Sequence, residues 1–176
     1  MSKDTNNPFI PLNIAVLTIS DTRSLADDTS GEYLTTALQK EGHQLADRQI
    51  SKDDKYQLRS IVSQWVVDQS IHAIITTGGT GFTPRDNTPE ALVPLFDKTI
   101  DGFGELFRQL SIDMIGTSTI QSRCIAGLAN NTLIACLPGS TGACKDAWKG
   151  ILQEQLDNRF KPCNLTPHLL GKYAHK

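Results

Sequence analysis

Along the chain, short apolar runs alternate with longer segments whose apolar residues recur every three or four positions, separated by polar or glycine-containing breaks. Residues 13–20, N-I-A-V-L-T-I-S, are apolar on both alternating faces, which predicts a strand buried within a parallel sheet. Thr29, with Glu32 three positions on, offers a capping box for a helix carrying Leu34, Ala37 and Leu38, and Gly42 ends it. An extended run over residues 43–50 leads through residues 51–54 into the stripe Leu58, Ile61, Val62, Trp65 and Val66, the clearest helical signal in the chain. Residues 73–77, A-I-I-T-T, predict a short buried strand. Thr88 followed by Pro89 predicts a capped helix start.

Further on, Phe103, Leu106, Phe107, Leu110 and Met114 form another helical stripe. Residues 123–128 and 132–137 flank Asn130 and Asn131, a pair suited to a tight hairpin turn. Residues 138–141, P-G-S-T, then open a long helix with a core face of Cys144, Ala147, Trp148, Ile151, Leu152 and Leu156. Alternating strands and helices joined by short loops force right-handed crossovers. The predicted fold is therefore a three-layer α/β arrangement: a mostly parallel sheet with one antiparallel strand and helices on both faces. One domain is expected over residues 12–160, between a flexible arm at residues 1–11 and a tail at residues 161–176, with both ends polar enough to be disordered.

At 176 residues the chain can remove roughly 70% of its unfolded surface from water, so one core needs no staples. Its 17 basic residues against 19 acidic ones leave no electrostatic footprint for nucleic acid or anionic membranes. No apolar run approaches the roughly 20 residues that cross a bilayer, and the N-terminus is polar, so a cytoplasmic protein is expected. Cys124, Cys136, Cys144 and Cys163 show no C-x-x-C spacing and are expected to be reduced and mostly buried. His43, His72, His168 and His175 stand beside no plausible nucleophile, and no hydrolase triad can be argued.

In an open parallel sheet, ligands bind beyond the carboxyl ends of the strands, where several polar loops of this chain fall. The T-T-G-G-T-G run at residues 76–81 lets backbone approach a ligand and present N–H groups, a phosphate site in character, although a flexible corner would read the same way. The loop at residues 138–141 precedes a helix and suits a second anion, or simply a cap by Ser140 or Thr141. Neither matches the P-loop or the dinucleotide fingerprint. Asp86 follows the glycine loop and Asp53 follows the second strand; together they would hold Mg²⁺ against phosphate oxygens, while Asp53 alone would also serve as a helix cap or a solvated charge. Residues 20–23 and 27–31 add hydroxyls and carboxylates suited to a polar heterocycle, or to turns and caps.

These residues together resemble the MoaB/MogA family of molybdenum cofactor biosynthesis proteins. The resemblance runs through I-A-V-L-T-I-S at 14–20, D-T-S-G at 28–31, the glycine loop, R-D-N-T-P-E at 85–90, G-F-G-E at 102–105 and L-P-G-S at 137–140, and covers nearly all of the chain, from about residue 12 to residue 167. It implies a molybdopterin-binding α/β fold assembled as trimers, or as dimers of trimers in the B type. It also implies Mg²⁺-dependent adenylylation of molybdopterin by ATP with release of pyrophosphate; the alternative is a non-catalytic molybdopterin-binding or scaffold protein of the same pathway. By resemblance, Thr77, Gly78, Gly79, Thr80 and Gly81 face nucleotide phosphates, and Gly139 and Ser140 hold the pterin phosphate. Asp53 and Asp86 carry Mg²⁺ as the catalytic pair, and Ser20, Asp28 and Ser30 line the pterin side.

Overall fold

The computed structural model describes residues 3, 4 and 6–171. Six strands form one sheet in the order β2-β1-β3-β6-β5-β4: β1 (Asn13–Ile19), β2 (Gln44–Ser51), β3 (Ala73–Thr77), β4 (Lys98–Thr99), β5 (Ile125–Ala129) and β6 (Thr132–Leu137). β1, β2, β3 and β6 are mutually parallel, and β5 runs against both of its neighbours. The hairpin turn between β5 and β6 lies where expected, with Asn130 and Asn131 at φ 48° and 63°, the left-handed pair that matches strand twist. β4 escaped the sequence reading because two residues carry no periodicity.

β1 is apolar on both sides because both sides are covered. Ile14 and Val16 pack with α1 (Thr29–Lys40), α4 (Asp101–Ile115) and α5 (Thr141–Ala147). Ala15, Leu17 and Ile19 pack with α2 (Lys55–Val67) and α3 (Thr88–Leu92). The expected three layers are therefore present. Because β1 lies between β2 and β3, its two neighbours are reached by connections leaving in opposite directions. The crevice beyond its carboxyl end is the position where such sheets open to ligands.

Several local expectations change. Asp28, not Thr29, caps α1, accepting the Gly31 N–H at 2.9 Å, since a buried carboxylate outcompetes a hydroxyl for the free helix donors. Asn87 takes the N-cap position of α3 without a side-chain hydrogen bond, which leaves the Thr88 hydroxyl for the loop before it. Of the α4 stripe, Phe103 and Phe107 are buried, whereas Leu106, Leu110 and Met114 remain exposed along with Ile112 and Ile115. The last long helix is interrupted by a π turn at Trp148–Leu152 before α6 (Gln153–Gln155).

The ends also pack. α7 (Thr166–Leu169) places Leu169 in the core, and at the other end Lys3 pairs with Asp157 at 2.9 Å while the Ile10 N–H reaches Asn158. Residues 1, 2, 5 and 172–176, including His175, lie outside the described residues. Among the described residues no helix is long and apolar enough to cross a membrane.

His43 is buried against Phe9 and Trp148, and its Nδ1 accepts the Leu12 N–H at 3.2 Å. Burial pushes its pKa down to about 4, against the weaker opposing pull of Asp157 and Glu41; His72 is shifted in the same direction by burial. A base held neutral in the fold but protonated when unfolded contributes stability above its ordinary pKa of 6.5 that is lost as pH falls toward 4. The urea midpoint is therefore expected to fall between pH 7 and pH 5, with a slope of up to about 1.4 kcal/mol per pH unit from His43. His43→Asn, whose amide oxygen can accept the same N–H, should flatten that slope; an unchanged slope would contradict the assignment.

Candidate functional site

Three loops meet beyond the carboxyl ends of β1, β3 and β6 and bound a cavity of about 720 Å³. The glycine loop forms its floor. Gly78 has φ 108°, and a Cβ there would collide with the Ile19 carbonyl oxygen at the end of β1. A Cβ on Gly139 would come within 3.3 Å of the Gly78 Cα, so the β1, β3 and β6 ends approach one another as closely as bare backbone allows. The approach is fixed by hydrogen bonds: Gly78 N–H to the Leu137 carbonyl at 3.0 Å and the Thr77 hydroxyl to the Pro138 carbonyl at 2.9 Å. Thr88 ties α3 to the same loop, its hydroxyl donating to the Gly78 carbonyl and its N–H to the Gly79 carbonyl, each at 2.9 Å.

Arg123 holds the outer half of the loop. Its Nε donates to the Gly81 carbonyl at 2.8 Å and its Nη2 to the Asp86 carbonyl at 2.9 Å, while Nη1 pairs with Glu90. One rigid fork thereby sets the backbone on both sides of residues 82–85. Sequence reasoning gave Arg123 no part in the site. It lies more than 30 residues beyond the loop it holds, just before an apolar strand, and no local pattern marks it.

Asp54, not Asp53, caps α2, accepting the Tyr56 and Gln57 N–H groups at 3.0 and 2.8 Å. That leaves Asp53 for the glycine loop, where a Cβ on Gly79 would collide with its Oδ2. Its one hydrogen-bond donor is the Asn87 N–H, at 3.2 Å. Burial, and then the nearby Asp86 and Asp21, push the Asp53 carboxyl above its ordinary range, against the Asn87 bond. Asp86 faces the cavity beside Gly81, where a Cβ would approach its Oδ2 to 2.7 Å. It accepts the Thr83 hydroxyl and N–H at 2.7 and 2.8 Å, and the hydroxyl bond leads the effects that hold its pKa low. Asp21 pairs with Arg85 across the mouth.

Ser20 lies in the cavity wall, its hydroxyl accepting the Thr22 and Arg23 N–H groups. Asp28 and Ser30, expected there too, lie behind the wall. The Asp28 carboxylate is committed to the Thr18 hydroxyl at 2.7 Å, the Gly31 N–H and Arg48 at 3.1 Å, and the Ser30 hydroxyl donates to the Gly139 carbonyl at 2.9 Å. Both brace the loops from within. Ser140 caps α5 through the Ala143 N–H at 3.2 Å, so the cap reading of that loop holds, and Ser140 also borders the cavity beside Gly139. The far wall was not anticipated: it is the exposed side of α4 facing the first turns of α5.

Among the described residues no cysteine lines the cavity, and Cys163 is exposed elsewhere. Cys124, Cys136 and Cys144 are buried, and burial pushes the thiols of Cys136 and Cys144 up to about 12 and 11. Among the described residues no cluster of three His, Cys, Asp or Glu side chains would hold a metal by itself. Two carboxylates beside a phosphate-type backbone cradle are nonetheless the donor set Mg²⁺ takes, because that ion completes its shell from phosphate oxygens and water.

Residues 15–158 match the family model described as "Probable molybdopterin binding domain". The chain belongs to that family. It is 52% identical over 161 residues to molybdenum cofactor biosynthesis protein B of Escherichia coli strain K12, covering 92% of this chain and 95% of the relative. A crystal structure of a molybdenum cofactor biosynthesis protein B superposes with a TM-score of 0.84 at 34% identity, over 95% of this chain and 98% of that one. The tungsten cofactor synthesizing protein MoaB from Pyrococcus furiosus follows at 0.73 and 33%, over 82% and 92%. The matched span takes in the glycine loop, Asp53, Asp86 and the loop before α5, so the cavity sits within the molybdopterin-binding domain.

Proposed function

We propose that this chain works in molybdenum cofactor biosynthesis, transferring an adenylyl group from ATP to molybdopterin in a Mg²⁺-dependent reaction in the cytoplasm. The observation that carries the reading is the convergence of Asp53 on Gly79 and of Asp86 on Gly81, in a glycine loop that lines the cavity of a molybdopterin-binding domain together with Asp86. The name borne by its Escherichia coli relative supports the pathway.

In this reading an oxygen of the molybdopterin phosphate attacks the α-phosphorus of ATP. A new P–O bond forms while the bond to the bridging oxygen breaks, and pyrophosphate leaves with the electron pair. The nucleophile is already an anion, so positioning and charge neutralisation replace a strong general base, in keeping with a cavity that has no free imidazole or thiolate. Backbone N–H groups of Gly79 and Thr80 donate to nucleotide phosphate oxygens, with Gly78 and Gly81 giving the loop its close approach, and the loop of Gly139 and Ser140 receives the pterin phosphate. Asp53 and Asp86 would hold Mg²⁺, which when bound neutralises charge developing on the phosphate oxygens. Burial, and then the neighbouring carboxylates, disfavour the charged form of Asp53, and a cation beside it would favour that form.

The same reading assigns an assembly of three copies, or two such trimers. Leu106, Leu110 and Ile112 of α4, with Ile120 beyond it, expose an apolar surface outside the cavity of the kind that a second copy covers.

Pyrophosphate is expected from ATP only when molybdopterin and Mg²⁺ are both present, and Asp86→Asn is expected to lower its rate by ~10²-fold or more. Retention of molybdopterin with no pyrophosphate released would make the chain a carrier or scaffold instead. Light scattering at micromolar concentration is expected to give three or six copies, and a monomer would overturn the assembly.

A further inference from the structure

The cavity has two chemically different ends. At one end lie the glycine loop and Asp86; at the other, the C-terminal half of α4 faces the start of α5. The π turn that follows α5 touches α4 closely, since a Cβ on Gly150 would meet Leu110 at 2.6 Å. One turn back toward the cavity, Asp146 and the α4 residues Ser111, Met114 and Ile115 form its outer end. Asp146 stands six residues, ~9 Å of helix, from Ser140.

Of the carboxylates lining the cavity, Asp86 is committed to Thr83, whereas Asp146 accepts no hydrogen bond and forms no ion pair among the described residues. Its neighbour Lys145 is turned away, its ammonium 5.7 Å from the centre of the Tyr33 ring. A half-buried carboxylate with both oxygens open, lining the same cavity as Met114 and Ile115, offers two in-plane acceptors to a ligand for which the cavity also has apolar surface.

We propose that Asp146 is a specificity-determining residue that reads the 2-amino and N3–H edge of the pterin. Those two donors are parallel and adjacent, and they match the two oxygens of a carboxylate as a guanidinium fork does. The inference rests on the reading of the cavity as a molybdopterin site and adds which edge of the heterocycle is recognised and by what. A ring with a carbonyl at position 2 turns an acceptor toward Asp146 and leaves the carboxylate facing a lone pair, which disfavours it.

The test is a fluorescence titration of the full-length protein with 6-hydroxymethylpterin and with its 2-oxo counterpart, 6-hydroxymethyllumazine. The unaltered protein is expected to prefer the 2-amino ring at least tenfold. Asp146→Asn is nearly isosteric, and its amide can donate to a 2-oxo group, so it is expected to weaken the pterin at least tenfold and to bind the lumazine as well or better. Asp146→Ala, a truncation at a half-exposed position, is expected to bind the two rings equally. Preference for the 2-amino ring that persists unchanged in both variants would overturn the role of Asp146 and leave the pterin site standing. Failure of the unaltered protein to bind either ring would overturn both together.

Discussion

The distance between the ends of β1, β3 and β6 governs everything built on them, and that distance is set by the missing side chains at Gly78 and Gly139. With any Cβ at Gly78, β3 could not leave the sheet beneath the Ile19 carbonyl, and the loop after β6 would lose its seat against the Gly78 Cα. The close approach lets hydrogen bonds join loops distant in the chain: the Thr77 hydroxyl to the Pro138 carbonyl, 61 residues away, and the Gly78 N–H to the Leu137 carbonyl. It also brings the backbone of Gly79 and Gly139 to the wall of one cavity. The loops are held from behind by buried polar groups with several partners each: Asp28 on Thr18, Gly31 and Arg48, and Thr88 on Gly78 and Gly79. Buried hydrogen bonds of this kind fix geometry, because breaking one partner strands the other away from water.

On that frame the acidic residues divide their work by position. Neighbouring aspartates, Asp53 and Asp54, have opposite fates: Asp54 is committed to the first turn of α2, and Asp53 is left against the glycine loop with a single backbone donor. Asp86 is oriented by Thr83 from within its own turn, and Arg123 holds the backbone of that turn by its carbonyl. The two carboxylates are thereby raised and lowered in pKa by different local causes while flanking the same loop. Separation of that kind is common where charged groups are arranged for a ligand rather than for one another.

Much of this was legible in the sequence, for physical reasons. Runs apolar on both faces can only be strands covered twice, and β1, β3 and β6 are; Asn130 and Asn131 tolerate the left-handed backbone that the β5–β6 turn requires. The glycine loop and the R-D-N-T-P-E run stood out because close backbone approach restricts residue choice locally. What sequence missed depends on partners distant in the chain. Asp28 looked like a ligand group until Thr18 and Arg48 were seen to consume it, and Arg123 has no local signature of the loop it clamps. Helical periodicity identified α4 correctly but gave Leu106, Leu110 and Met114 to the core, because a 3.6-residue repeat does not distinguish an interior face from one exposed on the single chain.

In the proposed reading, the bare backbone at the end of β3 holds the nucleotide phosphates. Its most direct test is calorimetric titration of Mg-ATP into Gly79→Ala. Gly79 has φ 63°, and an added methyl group would collide with Asp53 and with the buried Thr88 hydroxyl. The account requires affinity at least tenfold below that of the unaltered protein, with cooperative unfolding retained. Unaltered affinity in Gly79→Ala would mean that the nucleotide phosphates are held elsewhere, and would contradict it.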